Sequence, residues 1–120
     1  MNGEYSTKVI KSLQHGHKKD TKLFNKKVQL YQKNPEKYTM PSILNDNENA
    51  QELVDLYGET AENYMHKGSK VFPRKDVKMD RIIGQYWNDD MQKYVDTDTF
   101  TIIYSKKGVH IYPKKPKQEE

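Results

Sequence analysis

A chain of 120 residues without cysteine has room for one domain, and it excludes disulfides, thiolate nucleophiles and cysteine-based zinc sites. No apolar run approaches the roughly 20 residues of a membrane helix and no apolar stretch opens the chain, which predicts a cytoplasmic protein with no membrane partner. The net charge of +4 is uneven, because residues 1–39 hold nine Lys against three acids while residues 40–66 hold six acids and no Lys or Arg. That asymmetry fits an anionic partner met by one face, or else a solvated lysine surface.

The first half reads as helical. Ser6 or Thr7 caps a short predicted helix through Leu13, with Val9, Ile10 and Leu13 apolar, and Gly16 interrupts it. Asp20 or Thr21 caps a second helix in which Phe24, Val28 and Tyr31 share a face, ending by Asn34 because Pro35 follows. Asp46 or Asn47 caps a third, with the stripe Ala50, Leu53, Val54 and Tyr57 and a left-handed stop at Gly58. The second half changes period. Residues 81–87 alternate, Asn88-Asp89-Asp90 is turn chemistry, residues 99–104 are β-branched or aromatic, and Lys106-Lys107-Gly108 leads to a last strand ending at Pro113. The expected fold is α+β, with N-terminal helices packed on a C-terminal antiparallel β-meander. Residues 1–113 form one domain in this reading, and residues 114–120 form a charged tail.

Histidines are the natural candidates for proton transfer near neutral pH. His110 lies mid-strand beside Tyr112, with Ser105 and Lys106 in the same hairpin, so that sheet surface offers groups that bind a phosphate and move a proton. A surface or structural histidine is the bland alternative. His15 and His17 flank Gly16, but further ligands at metal-binding spacing are lacking, so no metal and no cofactor is expected. His66 falls in a Lys/Gly-rich linker and reads as a loop residue. Glycine-rich phosphate loops, a nucleophile elbow and paired strand carboxylates are all missing. Trp87, Tyr94, Tyr104 and Tyr112 stand among lysines, which suits stacking on unpaired bases and equally a Tyr-rich protein interface.

The order of these segments resembles the bacterial toxin 50 family. The resemblance rests on Ile83-Gly84-Gln85-Tyr86, a threonine-bearing strand, and Tyr104-Ser105-Lys106-Lys107-Gly108-Val109-His110-Ile111-Tyr112-Pro113. Gln14-His15-Gly16-His17 with Thr21 is similar to the family's opening glutamine-x-x-histidine, and Pro41-Ser42-Ile43-Leu44 falls in the expected order. Ile103 stands where many members carry histidine. The resemblance implies a barnase/EndoU/colicin/RelE-like fold, a phage or mobile-element origin, and a metal-independent RNase toxin. Carried over, His17 and His110 become general acid and base, with Ser105 and Lys106 beside them. Thr21, Ser42, Arg81, Thr101, Tyr104 and Tyr112 become substrate-binding residues, with Arg81 an alternative phosphate stabiliser. The implied partners are RNA (tRNA or another structured RNA) and an acidic immunity or host protein. The alternative is a phage-encoded binding or virion-associated protein that keeps the fold without catalysis.

Overall fold

A computed structural model describes residues 7–58, 74–105 and 107–116 of the chain. His66 and Lys106 lie outside the described residues, as does the end of the expected tail. The chain runs through a short helix α1 (Lys11–Gln14), a 3-10 turn (His15–His17), helix α2 (Lys22–Lys33), strand β1 (Ile43–Leu44) and helix α3 (Ala50–Tyr57). Then come β2 (Arg74–Lys78), β3 (Gly84–Asn88), β4 (Lys93–Thr97), β5 (Thr99–Ser105) and β6 (Gly108–Pro113). The layout is α+β.

Local chemistry explains most element ends. Thr21 Oγ1 accepts from the Phe24 N–H at 3.2 Å and starts α2, which closes at Asn34 before Pro35. The cap of α3 is Asn49, whose Oδ1 accepts from the Glu52 N–H at 3.0 Å, rather than Asp46 or Asn47. Gly58 ends that helix with extended backbone (φ −76°), not in the left-handed region. The first helix starts only at Lys11, because residues 8–10 are extended along β6 instead. The Val109 N–H donates to the Lys8 carbonyl at 2.9 Å, and the Ile10 N–H donates to the Val109 carbonyl at 2.7 Å.

The strands do not form one meander. Among the described residues two three-stranded antiparallel sheets are present, ordered β1-β3-β4 and β2-β5-β6. Between β4 and β5 the chain passes from one sheet to the other across a single residue, Asp98. There the Thr97 hydroxyl donates to the Lys114 carbonyl at 2.8 Å and accepts from the Thr99 N–H at 3.1 Å. A single-residue crossing is too short to leave a turn signature in the sequence. The neighbour of β5 is instead β2, whose charged, mostly exposed residues carry little strand signal.

The two faces of the larger sheet have separate tasks. Phe100, Ile102, Tyr104, Val109 and Ile111 are fully buried, and they pack with Leu53 and Val54 of α3 and with Leu44, Val77 and Ile83. Each such side chain contributes roughly 1.5–3 kcal/mol over its exposed state. The register pairs Ile103 with His110 and Thr101 with Tyr112, so those four project from the opposite face.

Close approach joins the sheets. A Cβ on Gly84 would collide with the Ile43 carbonyl oxygen and stand 2.5 Å from Pro113 Cγ, so β1 and β6 meet over bare backbone. Gly84→Ala is expected to lower stability by about 1–3 kcal/mol, read as the urea midpoint. An unchanged midpoint would contradict that contact.

Candidate active site

Strand β6 is an edge of its sheet, so its outward N–H and C=O groups need partners. Gln14 supplies them at Ile111. The Ile111 N–H donates to Gln14 Oε1 at 2.8 Å, and Gln14 Nε2 donates to the Ile111 carbonyl at 2.9 Å. The amide thus behaves as a one-residue strand and pins the turn that follows.

Three positions further on, that turn delivers His17. Its ring lies 6.0 Å from the His110 ring and nearly parallel at 8°, and 5.7 Å from the Tyr112 ring. His17 Nδ1 lies 3.0 Å from the Ser42 carbonyl oxygen and 3.2 Å from Ser42 Oγ, and both residues are buried. A carbonyl only accepts, so Nδ1 carries the proton and Nε2 keeps its lone pair.

Electrostatics keep both rings uncharged at neutral pH. Burial drives the His17 imidazole down to about 4, with the positive Lys27 and His110 adding to the effect and the Ser42 carbonyl opposing it. His110 is lowered by its own burial first, then by Lys27 and Arg74. Burial also lowers the Lys27 ammonium.

These groups open onto a cleft of about 700 Å³. His17, Lys27, Ser42, His110 and Tyr112 line it with Ile103, Tyr38, Tyr86, Trp87 and the lysines 37, 114 and 115. No carboxylate among the described residues does so. The cleft is therefore basic and aromatic, a wall chemistry that suits phosphates and unpaired bases. Tyr94 supports it from behind, donating to the Pro41 carbonyl at 2.8 Å, and burial pushes its phenol up to about 12.

The other predicted site residues stand elsewhere. The Thr21 hydroxyl is occupied by the carbonyls of His15 and Lys18 at 2.6 and 2.9 Å as well as by its cap. Arg81 makes a two-pronged pair with Glu48, at 3.0 and 2.9 Å. Thr101 donates to Asp76 at 2.7 Å, Ser105 donates to the Gly108 carbonyl at 2.8 Å, and Tyr104 is wholly buried in the core. Lys106 is outside the described residues. Lys27 is the residue that sequence reasoning passed over. Its signal was a lysine set in the stripe Leu23, Lys27, Leu30 at i, i+4 and i+7.

Among the described residues no group of three His, Cys, Asp or Glu is placed to hold a metal, and no helix is long and apolar enough to cross a membrane. The family profile described as Bacterial toxin 50 matches residues 9–113. No curated protein and no solved structure matches the chain.

A pH dependence follows from His17. The unfolded imidazole titrates near 6.5 and the folded one at about 4, so acid favours the unfolded chain. Stability is complete above pH 6.5 and declines toward pH 4, by about 3 kcal/mol in the limit, with His110 acting in the same direction. In thermal melts across that range, His17→Asn is expected to flatten the decline. A variant with the wild-type slope would refute the assignment.

Proposed function

The chain belongs to the bacterial toxin 50 family, and on that premise we propose that it is a toxin domain that cleaves RNA with His17 and His110 and without a metal. The observation that carries this reading is the pair of imidazoles 6.0 Å apart in a cleft that no described carboxylate lines. One phosphodiester spans such a gap.

The chemistry is in-line attack by the ribose 2′-hydroxyl. His17 is neutral, with Nδ1 committed to Ser42, so Nε2 is the base that takes the 2′-hydroxyl proton. The O2′–P bond forms as the P–O5′ bond breaks. His110, less deeply buried and next to the incoming phosphate charge, is protonated in the complex and gives its proton to O5′. A 2′,3′-cyclic phosphate and a 5′-hydroxyl result. Tyr112 backs the His17 ring, and Trp87 and Tyr38 offer faces for flanking bases.

The α+β layout is compatible with a barnase/EndoU/colicin/RelE-like fold, and a domain of this kind would act in the cytoplasm of a target cell. An acidic immunity protein would complement the basic cleft. A phage-encoded binding protein that keeps the fold without catalysis is the competing reading.

Incubation of the purified chain with total RNA in EDTA is expected to give fragments ending in 2′,3′-cyclic phosphate. His17→Ala and His110→Ala should each slow cleavage about 100-fold or more. RNA left intact by the wild type, or cut by both variants as fast as by the wild type, would defeat the enzyme reading.

A further inference from the structure

Helix α2 carries one lysine on its inward side, Lys27, and its position is set by Gly16. The ammonium nitrogen lies 2.8 Å, and Cε 3.3 Å, from where a Cβ on Gly16 would stand. Bare backbone at that point lets the ammonium settle against the turn beside His17. Lys27, His17 and His110 line the same cleft, and the Lys27 charge acts on both imidazoles.

Two other cations near the sheet already have carboxylate partners. Arg81 pairs with Glu48 at 2.9 Å and Lys114 with Asp76 at 3.2 Å. Lys27 makes no ion pair or hydrogen bond among the described residues, and no described carboxylate lines its cleft. The acids Asp46 and Glu48 lie on a separate cavity of about 140 Å³, reached from the other side of His17. A partly buried ammonium beside two imidazoles, with no anion from the protein, lacks its counter-charge.

We infer that Lys27, with His17 and His110, forms a phosphate site, and that its ligand is the phosphodiester group of a single-stranded oligonucleotide. Gly16 is the positioning residue that brings the ammonium to it. The inference rests on the cleft being an RNA site, and it adds the cation that meets the charge developing on the phosphoryl oxygens. That role had been expected of Lys106 or Arg81, and the Glu48 pair commits Arg81 elsewhere.

The test follows the ring resonances of His17 and His110 by NMR. The wild type at pH 7 is titrated with inorganic phosphate and, separately, with a 2′-deoxy oligonucleotide that cannot be cleaved by 2′-hydroxyl attack. Both ligands are expected to move the two histidines saturably, with the oligonucleotide displacing phosphate. Lys27→Met should weaken both by about tenfold or more, the worth of one charge-assisted hydrogen bond. Lys93→Met removes the same charge from exposed β4 and should change binding by less than about twofold, as expected of a remote screened charge. Gly16→Ala keeps every charge, displaces the flexible Lys27 ammonium and presses lightly on Leu23 Cδ2 at 3.2 Å, and it should weaken binding in the same direction as Lys27→Met.

Equal binding by wild type and Lys27→Met would overturn the site. Phosphate binding without oligonucleotide binding would overturn the phosphodiester assignment. Saturable binding by a wild type that leaves RNA intact would sink cleavage and leave this site standing. RNA cut equally by wild type and Lys27→Met would sink the site and leave cleavage standing.

Discussion

The two hydrogen bonds between the Gln14 amide and the Ile111 backbone organise everything that surrounds the cleft. An edge strand left unpaired would expose backbone to water or to another chain. Here residues 8–10 cover the start of β6 and Gln14 covers its middle, so a short segment serves as a broken extra strand. Each bond is worth about 1 kcal/mol net, but leaving an Ile111 backbone group unpaired and away from water would cost more. The larger consequence is positional. With Gln14 fixed on Ile111, one turn of backbone can only set His17 beside His110 and Tyr112, the two neighbours of Ile111 along the strand.

Strand alternation turns that local clamp into a working surface. Ile111 and Val109 point into the core against Ile102 and Tyr104, while His110 and Tyr112 point out. The same strand therefore anchors the fold and presents the chemistry. Gly84 completes the arrangement by letting β1 and β6 approach closely, which brings the Pro41-Ser42 loop end over His17. Polar groups at this junction are satisfied within the protein, so His17 is buried, neutral and held in one tautomer. A base held in that state needs no rearrangement when a substrate arrives.

The sequence made the apolar framework readable because helix and strand periods survive burial. Leu53 and Val54, and then Phe100 and Ile102, are in the core as their spacing required, and Tyr104 joins them there although it was expected to bind substrate. Strand β2 was not readable, since Val77 is its one buried residue and the rest are charged or exposed. The sheet change at Asp98 was hidden for another reason: its determinant is a hydroxyl, that of Thr97, spanning to Lys114. Similar reasoning applies to the site. His17, Ser42, His110 and Tyr112 were legible as residue types in a familiar order, and the fold brings them together. Thr21, Arg81, Thr101 and Ser105 looked just as available, yet each finds a partner that only the folded chain supplies. Lys27 showed only its place between Leu23 and Leu30, because a lysine on a lysine-rich helix carries no mark of which neighbours it will face.

The clamp can be broken without touching either histidine. In Gln14→Ala, with folding verified by the amide spectrum, the His17 imidazole should leave its buried notch. Its NMR titration midpoint should then rise from about 4 toward the ordinary 6.5. A midpoint still near 4 in the folded variant would contradict the claim that Gln14 places the base.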